Sequence, residues 1–301
     1  MTPEMKPHYA MPAAIPAANT DWIERKMFDL AYAHLSASQK LDIYWPEEGS
    51  GPFPVIVSIH GGAFMGGDKR DIQLTPMLAG LKRGYVVVGC NYRMSGEAIF
   101  PALVHDIKAA VRWLRANAEV YRLDPERIAV WGGSAGGYLA LMAGVSAGIP
   151  ELDDPALGSP DQSCAVQAVV SWFPPSDFLA MDEQLDESGF LPPPQFAHSG
   201  ENSPESRLLG RQITEIPDRV RAADPATYLR LGLPPFFIQH GRLDDTVPYQ
   251  QSRNFARKLA AIDPSLVAYE ILPGARHADP AFETPQNVQK VLDFLDRALR
   301  S

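Results

Sequence analysis

Gly132-Gly133-Ser134-Ala135-Gly136-Gly137 stands between two apolar segments, at residues 128–131 and 138–145. An apolar run, a Gly-x-Ser-x-Gly turn and a second apolar run predict a strand, a sharp turn and a helix, which is the setting of a nucleophile elbow. The serine of an elbow has a strained backbone and tolerates only very small neighbours, and here every neighbour is glycine or alanine. A glycine-rich turn whose serine merely caps a helix is the alternative. We interpret Ser134 as a nucleophile.

The composition is that of an ordinary globular protein. Of 301 residues, 46% are hydrophobic and 21% are charged, which allows a sizeable core. The net charge of -9 gives no basic surface, so we expect neither nucleic acid nor a membrane as a partner. The two cysteines, Cys90 and Cys164, offer neither a disulfide framework nor metal-site spacing. No signal peptide is visible, which predicts a cytoplasmic location; a secreted protein whose signal has been removed stays open.

Short apolar runs alternate with helical patterns along the chain. The runs predict strands at residues 41–44, 55–59, 85–90, 128–131, 168–172, 236–239 and 267–272. Between them, apolar residues recur at helical spacing, as in the set Leu103, Ile107, Val111 and Leu114. This alternation predicts an α/β fold with a mostly parallel central sheet and helices on both faces.

The chain outside this pattern consists of an arm and an insertion. Residues 1–21 are rich in proline and predict an N-terminal arm, and residues 22–301 form a single domain. Residues 174–225, called the insertion below, contain no clear strand and many prolines, serines and charges. Long irregular insertions in compact domains are usually functional or disordered. We expect a lid or a pocket wall, with a passive surface excursion as the alternative.

A serine nucleophile needs a histidine base and a carboxylate that orients it, and in this architecture they follow in the order Ser, acid, His. Three of the seven histidines follow Ser134. His198 lies in the insertion, and His240 ends a predicted strand. His277 lies in a loop of small residues between the last predicted strand and the last predicted helix, which favours it as the base; a free surface histidine is the alternative.

Three aspartates are candidates for the acid. Asp244 and Asp245 are adjacent after the predicted strand at 236–239, and a loop cannot aim both at one imidazole. Asp279 lies close to His277 in the sequence.

Donors for an oxyanion are predicted in a second loop. The strand at 55–59 runs into His60-Gly61-Gly62-Ala63-Phe64, whose small residues expose backbone N–H groups. Gly62 and Ala63, together with Ala135 after the nucleophile, are the expected oxyanion hole, with Gly61 as a further candidate. Aromatic side chains cluster nearby, and Phe64, Trp172 and Phe196 are the candidates for substrate contacts, with a place in the core as the alternative for each. No phosphate loop, zinc cluster or EF-hand spacing occurs, so we expect no cofactor and no metal.

Together these motifs resemble the α/β-hydrolase superfamily. The loop at 60–64, Asn91-Tyr92-Arg93, Phe100-Pro101-Ala102, the elbow and residues 244–248 carry the resemblance, which covers about residues 30–300. Within the superfamily the chain is similar to hormone-sensitive-lipase-like esterases. Residues 172–178 and 203–206 are similar to segments of the bifunctional feruloyl and acetyl-xylan esterases. In that family the acid lies four residues after a strand-end histidine and four before a Val-Pro proline, a position that Asp244 occupies between His240 and Pro248.

The resemblance implies an α/β-hydrolase fold and a serine carboxylesterase. Ser134, His277 and Asp244 would form its catalytic triad, and its substrates would be short-chain acyl or aromatic-acid esters of small molecules or carbohydrates. An amide hydrolase of the arylformamidase or peptidase type would use the same triad. However, Phe64 stands where arylformamidases typically have tryptophan. A non-catalytic binding protein of the same fold is the rival from another class, and assembly as a homo-oligomer stays open.

Overall fold

A sheet of eight strands forms the centre of the computed structural model, which describes residues 15–190 and 192–300. The strands are β1 (Lys26–Ala31), β2 (Lys40–Tyr44), β3 (Phe53–Ile59), β4 (Val86–Cys90), β5 (Leu123–Gly133), β6 (Ala168–Trp172), β7 (Phe236–Gly241) and β8 (Val267–Leu272). Their order is β1-β2-β4-β3-β5-β6-β7-β8. β2 pairs antiparallel with both β1 and β4, and every other pair is parallel. The predicted α/β-hydrolase architecture is confirmed.

Helices cover both faces of this sheet. They are α1 (Thr75–Leu78), α2 (Ala102–Ala116), α3 (Ala118–Tyr121), α4 (Ala135–Val145), α5 (Met181–Glu187), α6 (Pro204–Leu209), α7 (Pro217–Ala223), α8 (Gln250–Ile262) and α9 (Pro285–Arg300). Residues of α2, α4 and α8 share one core with Val55 and Val57, whereas α1 and α9 share the other with Ile56. Successive residues of β3 therefore enter opposite cores, as expected of a strand buried on both faces. Across the described ranges, no helix is long and apolar enough to cross a membrane.

The strand predictions differ from the structure mainly at one edge. All seven predicted strands are present, but β1 was not predicted. β1 is an edge strand, and its Met27 and Phe28 are about half exposed. Such a strand needs no continuous apolar run, so its sequence carries little signal.

The insertion is helical rather than irregular. The described part of residues 174–225 contains no strand, as expected, but it forms the short helices α5, α6 and α7. Pro204 and Pro217 occupy the first position of α6 and α7, where a missing N–H is harmless. The Ser203 hydroxyl caps α6 by accepting from the N–H of Ser206. Helices of six or seven residues are too short to show a helical period, which is why the sequence did not reveal them.

The described end of the predicted arm packs on the domain. Residues 1–14 lie outside the described residues. Ala17 forms an isolated antiparallel β-bridge with Asp71. Two backbone hydrogen bonds flank this bridge: the N–H of Ala18 donates to the carbonyl of Arg70 at 2.8 Å, and the N–H of Ile72 donates to the carbonyl of Pro16 at 2.7 Å. The arm thus pairs with the segment that follows the loop at 60–64.

Candidate active site

The predicted elbow is the turn that joins β5 to α4, and Ser134 is its central residue. Ser134 has φ 55° and ψ −123°, a conformation that residues other than glycine rarely adopt. The turn passes close to β3, since a Cβ on Gly136 would lie 2.0 Å from the carbonyl oxygen of Ile59. Glycine at position 136 is therefore a steric requirement of the turn.

Ser134 is the first member of a line of hydrogen bonds. Its Oγ lies 3.0 Å from Nε2 of His277, in the loop between β8 and α9. Nδ1 of the same imidazole lies 2.8 Å from Oδ2 of Asp244, just after β7. With Nδ1–H donating to the carboxylate, Nε2 presents its lone pair to the serine hydroxyl. The structure therefore brings together the three residues expected from the sequence, in an arrangement suited to general-base catalysis.

Asp244 is completely buried and holds its charge through its neighbours. Its Oδ1 accepts from the backbone N–H groups of Thr246 and Val247, at 2.9 and 2.8 Å. Nε2 of His240 lies 3.2 Å from its Oδ2. Burial alone would raise the pKa of Asp244, but the charge of His277 and the hydrogen bonds from His240 and His277 lower it below the usual value. The carboxylate stays ionised and can orient His277.

The other two candidate aspartates point elsewhere. Asp245 pairs with the Arg276 guanidinium, whose Nη1 lies 2.7 Å from Oδ2 of Asp245. Asp279 accepts from the N–H of Ala281 at 2.9 Å and caps a short helical turn. Of the three, only Asp244 bonds to His277. Within residues 15–190 and 192–300, no three His, Cys, Asp or Glu side chains are grouped so that they could hold a metal ion.

The loop after β3 is held in an unusual conformation. The N–H of Gly61 donates to Oε1 of Gln73 at 2.9 Å, so this donor is already occupied. Gly62 has φ 124°, and Ala63 has φ 53°. A Cβ on Gly62 would lie 2.1 Å from the carbonyl oxygen of Gly66. Gly62 and Ala63 border the cavity beside Ser134, and so does Ala135, whose N–H at the start of α4 has no intrahelical acceptor. These three remain the candidates for the oxyanion hole.

His60 lies beneath this loop. Its ring stacks on Tyr92 with the centroids 4.5 Å apart, and its Nδ1 donates to the carbonyl of Gly61 at 2.9 Å. The hydroxyl of Tyr92 donates to the carbonyl of His60 at 2.9 Å. Burial lowers the pKa of His60, so the ring stays neutral. His60 and Tyr92 hold the backbone from which the loop begins.

A cavity of about 360 Å³ adjoins the serine, and we call it the Ser134 cavity. Its lining residues are Ile15, Gly62, Ala63, Phe64, Gln73, Ser134, Ala135, Phe173, Pro175, His198, Pro204, Glu205, Thr246, Val247, His277 and Ala278. Five lining residues other than glycine have a positive φ, namely Ala63, Phe64, Ser134, Phe173 and Ala278. Strained backbone of this kind concentrates at functional sites.

Only one of the three expected aromatic contacts borders the Ser134 cavity. Phe64 lines it. Trp172 is buried between Trp131 and Phe282, with ring centroids 5.0 and 5.6 Å away, and it faces the core under α9. Phe173, one residue further, lines the cavity instead and lies 4.9 Å from the His277 ring. Phe196 is not among the lining residues either. The position one residue past the strand end was the signal that could have identified Phe173, because ligands bind beyond the carboxyl ends of parallel strands.

The insertion supplies polar residues that the sequence did not single out as substrate contacts. His198, Pro204 and Glu205 line the Ser134 cavity, so the insertion forms part of its wall. Nδ1 of His198 lies 3.1 Å from Oε1 of Glu205, and Nε2 lies 2.9 Å from the carbonyl oxygen of Thr246. No sequence motif indicates that His198 and Glu205 are in contact, because it is the turn leading into α6 that brings them together.

Comparisons with known proteins agree with this architecture. The sequence model of a family described as BD-FAE matches residues 41–259, a range that includes Ser134 and Asp244. The chain is 32% identical over 258 residues to the probable carboxylic ester hydrolase LipM of Mycobacterium tuberculosis, and the match covers 83% of the chain and 55% of LipM. It is 32% identical over 273 residues to esterase LipQ of the same organism, and this match covers 89% of the chain and 61% of LipQ. The chain thus spans little more than half the length of these curated relatives.

Solved structures of esterases share the fold. A truncated carbohydrate esterase from gut microbiota superposes with a TM-score of 0.83 at 29% identity, covering 95% of this chain and 100% of the other. A bifunctional GH43-CE protein of Bacteroides eggerthii superposes with a TM-score of 0.81 at 32% identity, and the match covers 91% of this chain and 35% of the other. The thermophilic esterase Est2 of Thermogutta terrifontis gives 0.69 at 26% identity, covering 92% of both chains.

Proposed function

The chain belongs to the BD-FAE family, and from this membership we propose that it is a serine carboxylesterase that hydrolyses carboxylic esters through an acyl-enzyme. The observation that carries the proposal is the line of hydrogen bonds from Ser134 through His277 to Asp244, which opens on the Ser134 cavity. The esterase names of the curated relatives and solved structures support the same reaction.

The proposed reaction begins with Ser134. Its Oγ attacks the ester carbonyl carbon while Nε2 of His277 takes the hydroxyl proton, and the N–H groups of Gly62, Ala63 and Ala135 stabilise the oxyanion. The bond to the leaving oxygen then breaks, and His277 returns the proton to release the alcohol. Water attacks the acyl-enzyme with the same base, and the carboxylic acid leaves as the Ser134 hydroxyl is restored. Asp244 fixes the tautomer of His277 and stabilises its charged form throughout.

The substrates proposed are short-chain acyl or aromatic-acid esters, on small molecules or carbohydrates. The Ser134 cavity is small, at about 360 Å³, and Phe64, Phe173 and Val247 supply apolar walls. These features suit a short acyl group or a single aromatic ring. Two of the solved structures of similar fold, a carbohydrate esterase and a GH43-CE protein, support a carbohydrate-linked ester.

One panel of substrates tests the proposal. Hydrolysis of p-nitrophenyl acetate, longer acyl esters, methyl ferulate, acetylated xylan and N-formylkynurenine is measured for the wild type and for Ser134→Ala. We expect turnover of esters that the substitution abolishes. Absence of any Ser134-dependent turnover would refute an enzyme of this kind, and preference for the formamide would identify an amide hydrolase.

We further propose a cytoplasmic location. Cys90 and Cys164 are both buried and neither forms a disulfide, which is compatible with a reducing compartment. Fractionation of the source cells with an antibody against the chain tests this, and recovery of the protein outside the cytoplasm would contradict it.

A further inference from the structure

One acidic side chain stands in the wall of the Ser134 cavity. Glu205 is only 3% exposed, yet it lines the same cavity as Ser134 and His277. Its Oε1 lies 3.1 Å from Nδ1 of His198. Its Oε2 is buried and has no hydrogen-bond partner among the described residues. A buried carboxylate oxygen without a donor is unfavourable, and such exceptions in a folded protein call for an explanation.

The other carboxylate oxygen of Glu205, Oε1, is held by His198. Nε2 of His198 lies 2.9 Å from the carbonyl oxygen of Thr246, which can only accept a hydrogen bond. Nδ1 faces the Glu205 carboxylate, which is also an acceptor when ionised. Both ring nitrogens must then carry protons, and His198 is an imidazolium. Burial by itself would lower the pKa of His198, but the charge and the hydrogen bond of Glu205, together with the charge of Asp182 and the carbonyl of Thr246, raise it.

This pairing decides which ligand suits Oε2. The imidazolium already neutralises the carboxylate, so a second cation would gain little attraction and would meet the charge of His198. A neutral O–H group, in contrast, supplies the missing donor. The walls contributed by Phe64, Phe173 and Val247 are apolar, so a hydroxyl would find a specific partner in Glu205.

We propose that Oε2 of Glu205 accepts a hydrogen bond from a hydroxyl group of the substrate, and that the enzyme therefore selects esters that carry a hydroxyl near the scissile bond. The proposal rests on the esterase function proposed above and assigns Glu205 as a specificity-determining residue. The hydroxyl belongs either to the alcohol portion, as in a polyol ester, or to the acyl portion, as in a phenolic acid ester. Both sources present the same O–H donor.

Two matched substrate pairs separate these sources. 2-Hydroxyethyl acetate and propyl acetate differ only in a hydroxyl that replaces a methyl group on the alcohol side. Methyl ferulate and methyl 3,4-dimethoxycinnamate differ in whether the phenolic hydroxyl on the acyl side is free or methylated. For each pair the measured quantity is the ratio of kcat/KM for the hydroxylated member to that for the other member. This ratio cancels any general loss of activity in a variant.

The variants are Glu205→Gln, which removes the charge, and Glu205→Leu, which removes the acceptor. A hydrogen bond to a charged group corresponds to a discrimination of about 10- to 100-fold. We expect the wild type to favour the hydroxylated member of at least one pair. Glu205→Leu should lower that ratio by about this factor, and Glu205→Gln, which keeps a neutral acceptor oxygen, should lower it by less. Glu183→Gln is the matched control, because Glu183 lies exposed on α5 in the same insertion, and it should keep the wild-type ratio.

The outcomes distinguish the two proposals. If the wild type hydrolyses both members of each pair without preferring the hydroxylated one, the assignment of Glu205 is overturned, whether or not the variants fold. A wild-type preference that persists in both Glu205 variants overturns it equally. If the wild type shows no Ser134-dependent turnover of any member or of p-nitrophenyl acetate, the esterase function itself has failed. Turnover of p-nitrophenyl acetate without turnover of either hydroxylated ester overturns the assignment of Glu205 alone. The substrate pair whose kcat/KM ratio falls in the Glu205 variants identifies the portion of the substrate, alcohol or acyl, that carries the hydroxyl.

Discussion

His277 and Asp244 are joined by a hydrogen bond of 2.8 Å between Nδ1 and Oδ2, although Asp245 follows the same strand end only one residue further along the chain. The difference lies in direction. Asp244 turns inward, where the N–H groups of Thr246 and Val247 hold its other oxygen, and Asp245 turns outward to Arg276. One carboxylate is thus fixed for a specific contact, and the other forms an ion pair at the surface.

The first prediction separates these neighbours. Asp244→Asn places an amide where the carboxylate holds the His277 tautomer, and loss of that orientation in a serine triad lowers kcat by about 10⁴-fold. Asp245→Asn breaks only the partly exposed pair with Arg276, and we expect kcat to stay close to the wild-type value. Steady-state hydrolysis of p-nitrophenyl acetate by both variants tests this. The reverse order of activities would show that Asp245 is the acid.

A second prediction concerns the loop that carries the candidate oxyanion donors. Gly62 has φ 124°, and an added Cβ would meet the carbonyl of Gly66 at 2.1 Å. Gly62→Ala should lower the free energy of unfolding by about 1–3 kcal/mol and also lower kcat, because the loop must shift. Gly96→Ala is the control: Gly96 is exposed, and a Cβ added there would meet nothing within 4 Å. Urea unfolding and esterase assays compare the two. Equal stability of both variants would refute the strain at Gly62.

The sequence predicted the parts of the site that local chemistry dictates. Ser134 required small neighbours, and a strand-end acid followed by His277 was expected in the order that the architecture demands, whereas the choice of Asp244 over Asp245 and Asp279 came from the family resemblance. Each of these residues lies just past the end of a strand, where an apolar run and a turn mark its place. The sheet was predictable for the same reason, except for β1, whose partly exposed residues need no apolar run.

The remainder of the site depends on tertiary packing. Trp172 and Phe173 are neighbours, and only the backbone after β6, with φ 39° at Phe173, decides which ring reaches the cavity. His198 and Glu205 belong to an insertion of short helices that have no readable period. Gln73 reaches Gly61 from a segment twelve residues away, and no motif links the two.

A third prediction concerns pH and stability. Burial disfavours the charged form of His198, but the charge and hydrogen bond of Glu205, the charge of Asp182 and the carbonyl of Thr246 together raise the pKa of His198 above its usual 6.5 in the folded protein. The stability that this protonation contributes is therefore fully present below about pH 6.5 and is lost as pH rises through the raised pKa. The wild type should exceed His198→Gln in free energy of unfolding by more at pH 6 than at about pH 9.

His105 provides a control of opposite sign for that experiment. Burial lowers the pKa of His105, so its folded environment disfavours the charged form. The free energy of unfolding of the wild type should therefore fall relative to that of His105→Gln as the pH is lowered. Urea titrations over the same pH range measure both variants. A wild-type advantage over His198→Gln that grows with rising pH would contradict the ion pair with Glu205.

The last prediction concerns how Gln73 holds the oxyanion loop. Its Oε1 accepts from the N–H of Gly61 at 2.9 Å, and its Nε2 donates to Oδ2 of Asp71 at 2.9 Å. Asp71 in turn lies beside the arm, through its bridge with Ala17. Gln73→Leu leaves the N–H of Gly61 without its acceptor and frees the backbone that precedes Gly62 and Ala63.

Displaced donors in this loop weaken the stabilisation of the oxyanion, which exists in the transition state and not in the bound ester, so the loss should appear in kcat more than in KM. We expect kcat to fall by about 10- to 100-fold, less than the ~10²- to 10³-fold that follows outright removal of a donor. Gln286→Leu, at an exposed position of α9, is the control and should retain wild-type kinetics. A rise in KM with kcat unchanged would mean that Gln73 only shapes the cavity wall, because uniform binding of substrate and transition state affects KM alone.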